Sequence, residues 1–210
     1  MSAVLVLSGG GDYADPWHPF AATSAIVAGL LREDGHEVEV VDTLDALAER
    51  LPDADALVVN AGGGPVAHPL DGRLSGILAG YRGPLLALHV AATLLPEDPS
   101  WEETIGGRWV RGTTMHPPGG PLRARGAAGS ALVAGLPLDT VDEAYCFLRV
   151  ADDADVILTH ELDGIVHPIC WTLDRGGRRT AYDALGHDPE AYAAPLPREL
   201  VRRLVRWLLA

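Results

Sequence analysis

The stretch GPLLALHVAATLL, residues 83–95, decides how the chain is read. Its first half is an unbroken apolar run of strand length, and its second half continues as a small-residue helical segment. A buried strand therefore passes straight into a helix, and His89 occupies the junction. In one large group of α/β proteins the residue at this corner is the nucleophile. An imidazole there titrates near neutral pH, which makes it a candidate for chemistry.

The same pattern repeats on either side. AVLVLS (3–8) is a short apolar run closed by Gly9, Gly10 and Gly11, and the helical segment that follows places Ile26, Val27, Leu30 and Leu31 on one face before Gly35 stops it. EVEVV (37–41) is the next strand, and Asp42 or Thr43 caps a helix carrying Leu44, Leu47 and Leu51. ALVVN (56–60) is a third strand, followed by a helix marked by Leu70, Leu74, Ile77 and Leu78. Strands that are apolar throughout and alternate with helices imply a parallel sheet covered on both faces. In the second half RWVRG, EAYCFLRV, DVILTHE, PICWTLD and RRTAYDALG read as shorter strands, several of them antiparallel. The Gly/Pro-rich stretch 112–121 reads as a surface loop. A terminal helix begins near Pro197 with Leu200, Val201, Leu204, Val205 and Leu208 toward the core and its arginines toward solvent.

With 210 residues, 48% of them hydrophobic, the chain can bury a full core, and one domain over 1–210 is expected. The net charge of −13 repels phosphate backbones and anionic lipid, so neither nucleic acid nor membrane is an expected partner. No stretch approaches the roughly 20 apolar residues of a spanning helix, and no secretory leader is visible. A cytoplasmic protein is the expectation, with Cys146 and Cys170 as buried thiols or, alternatively, one disulfide. All 16 basic residues are arginine. Without lysine there is no Schiff base, no covalently held pyridoxal phosphate and no phosphate-loop lysine.

In open parallel sheets, ligands bind beyond the carboxyl ends of the strands. Four groups follow strands here. GGGDYADPWHPF (9–20) brings Asp12, Tyr13, Trp17 and His18; AGGGPVAH (61–68) follows the third strand; His89 follows the fourth; ALGHDPEAY (184–192) brings His187 and Asp188. Adjacent strands would bring these groups into one cleft. The glycine loops fit no nucleotide fingerprint, and a sharp turn explains them. Each candidate also has a plainer reading: His89 as a hydrogen-bonded buried residue, Asp188 as a helix cap, Glu143 as a buried carboxylate, the tryptophans as core. His116, in TTMHPPGG, sits on a loop able to close over a ligand.

The ordered set GGGDY…HPF, LHVAA, GGRWV…HPP, DEAY, CWT and ALGHDPEAY resembles the ThuA-like family, the trehalose-utilisation proteins with a class I glutamine amidotransferase-like fold. The resemblance runs from about residue 5 to 208 and rests on order and spacing rather than on one motif. It implies a flavodoxin-like three-layer α/β sandwich and a link to sugar metabolism. The family's clustered polar positions fall on Asp12, His18, His89, His116, Glu143, Tyr145, His187 and Asp188. Two departures stand out: Gly11 replaces the first histidine of the family's GGHDYHPF, with ADPW lengthening the loop, and Val90 replaces its usual serine. In amidotransferases the elbow residue is a cysteine activated by a histidine, so His89 removes thiol chemistry while leaving an acid, a base or a metal ligand.

The leading expectation is a pocket acting on a sugar or oxidised sugar. His89 and His187 would serve as acid/base groups or metal ligands, with Glu143 or Asp188 orienting an imidazole. Asp12, Tyr13, His18, His116, Tyr145 and Trp171 would contact the ligand, Tyr13, Trp17 and Trp171 by stacking. The alternatives are a non-catalytic sugar-binding or partner-binding domain, and a divalent-metal hydrolase built on His18, His89 and His187. A divalent metal is the only cofactor under consideration, a small sugar the expected partner, and a homodimer the default assembly.

Overall fold

The computed structural model describes residues 1–64 and 66–210; Pro65, within the loop after the third strand, lies outside them. In chain order the elements are β1 (Ala3–Ser8), α1 (Phe20–Glu33), β2 (Glu37–Val41), α2 (Leu44–Arg50), β3 (Ala56–Asn60), α3 (Asp71–Gly80), β4 (Leu85–Leu88), α4 (Pro99–Ile105), β5 (Gly107–Arg108), β6 (Gly120–Gly126), β7 (Asp139–Asp142), β8 (Arg149–Val150), β9 (Asp155–Leu162), β10 (Ile165–Arg175), β11 (Arg178–Asp183) and α5 (Pro195–Leu208). Among the described residues nine strands form one sheet in the order β2-β1-β3-β4-β11-β10-β9-β6-β7. The strands from β2 to β11 run parallel, and β10, β9, β6 and β7 extend the sheet antiparallel. The expected α/β sandwich with a mainly parallel centre is what forms.

Burial explains why. Every residue of β3 and β4 is buried, as is nearly all of β1, because helices cover both faces. α5 buries Leu196, Leu200, Val201, Leu204, Val205 and Leu208, each worth about 1.5–3 kcal/mol of burial. Local signals set the helix ends. The Thr43 side chain accepts from the Ala46 amide at 3.3 Å, and Gly35 takes φ +88° after α1. One expected solvent face is not bare: Arg202 of α5 pairs with Glu33 and Asp34 at the end of α1.

The structure corrects four segments. RWVRG is a strand only at Arg108, and residues 111–113 form a turn. The helix expected after His89 is a single 3₁₀ turn, His89–Thr93, ended by Leu95 at φ +50° and Pro96. A short helix, α4, follows instead, with Asp98 accepting from the Ser100 amide and Pro99 at its first position. EAYCFLRV is a strand only at Arg149–Val150, because the hydrogen bonds of residues 145–147 go elsewhere. Tyr145 O accepts from His160 Nε2 at 2.8 Å, the Phe147 amide donates to His167 Nδ1 at 3.3 Å, and Cys146 bridges to Met115. Within the expected 112–121 loop, Gly120 already begins β6, a strand the sequence did not announce. Both cysteines are free and buried.

Candidate functional site

The parallel half of the sheet places the carboxyl ends of β1, β4 and β11 along one edge, with the strand order reversing around β1. Three loops from that edge bring His18, His89 and His187 together, and the segment after β7 adds Glu143. One ligand atom from each of these four residues lies within 4.8 Å of every other.

His89 sits where β4 ends, with φ +47°, a left-handed conformation that costs a non-glycine residue on the order of 1 kcal/mol. Two bonds from β11 and its end hold it there. The Tyr182 hydroxyl donates to the His89 carbonyl at 2.8 Å, and His89 Nδ1 lies 2.8 Å from the Ala184 carbonyl. A carbonyl only accepts, so Nδ1 carries the hydrogen. In the neutral ring Nε2 then bears the lone pair, directed into the cluster. The ring is 2% exposed, so its environment is the protein's own groups. Nε2 faces the Tyr145 hydroxyl at 3.0 Å, His187 Nδ1 at 3.3 Å and Glu143 Oε2 at 3.4 Å.

His18 is oriented in the same way by a residue sequence reasoning missed. Asp15 Oδ2 accepts from His18 Nδ1 at 2.7 Å, while Asp15 Oδ1 accepts the amides of Trp17 and His18, both at 2.8 Å. The D-P-W-H turn thus locks the His18 tautomer, a carboxylate–histidine pairing typical of metal ligands. The signal was present as an aspartate three residues before a histidine. Asp142, also missed, ties two loops together. Its buried carboxylate accepts the amides of Gly186 at 2.7 Å, Glu143 at 2.9 Å and His187 at 3.3 Å.

Glu143 Oε2 lies 3.4 Å from His89 Nε2, 3.4 Å from His187 Nδ1 and 3.6 Å from His116 Nε2. Burial raises the Glu143 carboxyl, but the imidazoles of His89, His187 and His116 outweigh it and hold it below the usual range. For His89, burial acts downward, while Glu143, Asp142 and the Ala184 carbonyl raise it above its ordinary value. His18 is lowered, first by burial and then by His89, against the pull of Asp15. Burial also keeps Tyr145 protonated, and its hydroxyl lies 3.0 Å from His89 Nε2. Deeper still, Asp183 is pushed up to about 8 by burial, with one carboxylate oxygen unpartnered.

The remaining candidates divide. His116 reaches the cluster through Glu143 and stacks on Tyr145 at 5.5 Å between ring centres. Half-buried Trp109, which the sequence places in a strand, packs edge-on against Tyr145 at 4.8 Å and His116 at 5.9 Å. Four expectations are corrected. Asp12 instead accepts from the Leu44 amide at the start of α2, at 2.7 Å. Tyr13 is buried, donating to Asp71 at 3.0 Å with its ring against His68. Trp171 is fully buried, its Nε1 donating to the Ile105 carbonyl at 2.7 Å, so it offers no stacking face. Asp188 accepts from the Ala191 amide at 3.0 Å, the helix-cap reading, and orients no imidazole; Glu143 takes that place. Trp17 is 62% exposed. Two clefts flank the cluster, one of about 310 Å³ beside His18 and one of about 220 Å³ beside Glu143, His187 and Asp188.

Comparison with known proteins agrees with this architecture. A ThuA-like protein from Parabacteroides merdae superposes with a TM-score of 0.79 at 17% identity, covering 100% of this chain and 90% of that one. A second, from Bacteroides uniformis, gives 0.72 at 14% identity, covering 98% and 90%. A GMP synthase protein from Thermoplasma acidophilum gives 0.63 at 17% identity, covering 99% and 94%. At these identities the likeness is one of fold, and it includes the glutamine amidotransferase-like architecture. No curated protein matches the chain at a significant level. No helix among the described residues is long and apolar enough to cross a membrane. The family described as trehalose utilisation, ThuA, matches residues 3–208, and the chain belongs to that family.

Proposed function

We propose that this protein is a metal-dependent enzyme of carbohydrate utilisation, with His18, His89, His187 and Glu143 as the ligand set for one divalent transition-metal ion. The family membership supports a role related to carbohydrate utilisation in general. The metal reading rests on one observation. His89 Nε2, His187 Nδ1 and Glu143 Oε2 form a nearly equilateral triangle with sides of 3.3, 3.4 and 3.4 Å. Such separations are long for hydrogen bonds. They match the edge of about 3.4 Å expected between ligands bound tetrahedrally at about 2.1 Å. His18, with Nδ1 occupied by Asp15, supplies the fourth donor. Three imidazoles and one carboxylate suit zinc, iron, manganese or cobalt rather than calcium or magnesium.

With four protein donors such an ion would supply Lewis acidity toward a sugar hydroxyl or carbonyl oxygen only by taking that oxygen as a further ligand. The chain's own groups complete the site. His116 Nδ1 lies 2.9 Å from the Pro117 carbonyl and so bears the hydrogen, leaving Nε2 as a proton acceptor facing the Glu143 edge of the cluster. Tyr145 holds a hydroxyl against His89 and backs the aromatic group of Trp109 and His116, which offers a surface for a sugar ring.

The experiment is turnover on a panel of disaccharides and their keto derivatives, with protein reconstituted with zinc, manganese or iron. Turnover that disappears on chelation and falls about 10²–10⁴-fold in His116→Gln supports the proposal. Turnover indifferent to chelation overturns the metal's role. Saturable sugar binding without product on any metal would replace the enzyme with a binding module.

A further inference from the structure

At the opposite end of β4 and β11, about 20 Å along the strands from the imidazole cluster, a groove of about 380 Å³ opens between α3 and α4. Arg82 and Arg178 both line it. Arg178 is only partly exposed, and its Nε is buried with no hydrogen-bond partner. Burial first, and then the like charge of Arg82, lower its affinity for its proton. Among the described residues neither arginine has a carboxylate within ion-pair distance. Arg32, Arg111, Arg198 and Arg203 also lack one, and what sets Arg178 apart is its buried, unpartnered Nε. Elsewhere in the fold Arg108 and Arg149 pair with Glu102, Arg175 with Asp153, Arg179 with Asp174, and Arg202 with Asp34.

Two guanidinium groups that line one groove, one of them with a buried Nε, repel each other, and an anion between them relieves that repulsion. Their planar donor forks fit the paired oxygens of a phosphate or carboxylate. Ser100 and Thr104 line the same groove. One carboxylate, Glu103, also faces it without pairing to either arginine, which disfavours highly charged ligands. Arg175 lines the groove too, but is already bound to Asp153 through two hydrogen bonds.

We propose that Arg82 and Arg178 form a second ligand site, separate from the imidazole cluster, that binds the oxyanion group of a small metabolite, a phosphate ester or a carboxylate. This site does not depend on the catalytic proposal and stands or falls apart from it.

The test is thermal unfolding and calorimetry of the full chain with inorganic phosphate and with acetate, each against chloride at matched ionic strength. The expected result is a saturable rise in Tm with phosphate or acetate, the larger effect naming the anion class. Arg82→Gln, at an exposed position, should weaken that binding roughly tenfold or more, and Glu103→Gln should tighten it. Arg178→Gln should abolish it while leaving the anion-free protein at least as stable, because an uncompensated charge is removed. No shift beyond chloride, or an equal shift in Arg82→Gln, overturns the proposal. Should Arg178→Gln fail to fold, the Arg82 and Glu103 variants still decide.

Discussion

Asp15→Asn tests the reading of the cluster without touching a proposed ligand. In the wild-type chain, Asp15 Oδ1 holds the Trp17 and His18 amides at 2.8 Å and Oδ2 receives the His18 Nδ1 hydrogen at 2.7 Å. Asparagine keeps one oxygen for the two amides, so the turn retains its backbone bonds. Its NH₂ group then faces His18 Nδ1 and must donate to it, which moves the ring hydrogen to Nε2, the atom aimed into the cluster. A protonated Nε2 cannot ligate. Losing a carboxylate that orients a ligating histidine lowers metal affinity by about 10–100-fold, or about 1.4–2.7 kcal/mol. The assay is competition of zinc against a chromophoric chelator, run beside thermal unfolding of the metal-free protein. The expected outcome is an affinity loss in that range with metal-free stability nearly unchanged. Zinc affinity within twofold of wild type would refute the role assigned to Asp15 and His18.

Other outcomes follow from single contacts. Asp183, with a folded-state pKa of about 8 against an ordinary 3.8, binds its proton more tightly folded than unfolded, so its contribution to stability is lost as pH rises from 4 toward 8. Asp183→Asn should therefore match wild type near pH 4 and become progressively more stable above it, by on the order of several kcal/mol at pH 8; chemical denaturation across pH showing a flat difference would refute this. Trp171→Phe removes the bond to the Ile105 carbonyl and should cost about 1–3 kcal/mol with zinc binding unchanged; lost binding at full stability would return Trp171 to the site. Gly186 takes φ +103°, and a Cβ there would lie 2.3 Å from the Tyr192 hydroxyl oxygen. Gly186→Ala should cost about 1–3 kcal/mol and displace the adjacent His187, so that unfolding and zinc titrations both shift.

What the sequence made legible, and what it hid, follows from the range of the interactions involved. β1, β3 and β4 are apolar at every position or nearly so, as a parallel strand covered on both faces requires. His18, His89 and His187 could be singled out because each follows such a strand, and parallel neighbours place their ends on one edge. Asp142 could not, because its meaning lies in amides 44 and 45 residues away. Trp109 and Trp171 show the same limit from opposite sides: both read as strand residues along the chain, yet one packs against Tyr145 beside the cluster and the other donates to the Ile105 carbonyl in the core. Residues 145–147 read as strand by composition, but two imidazoles take hydrogen bonds that a neighbouring strand would have taken. Arg178 looks like any surface cation along the chain, and only its folded surroundings set it apart.

Four side chains from four separate segments are proposed to make one metal site. Equilibrium dialysis of tag-free, chelator-stripped protein against zinc or manganese, followed by elemental analysis, measures it directly. Wild type should retain close to one ion per chain, and a His89→Ala, His187→Ala double variant that still folds by circular dichroism should retain little or none. Wild-type protein that retains no metal above the dialysis background, or a double variant that retains as much as wild type, would contradict it.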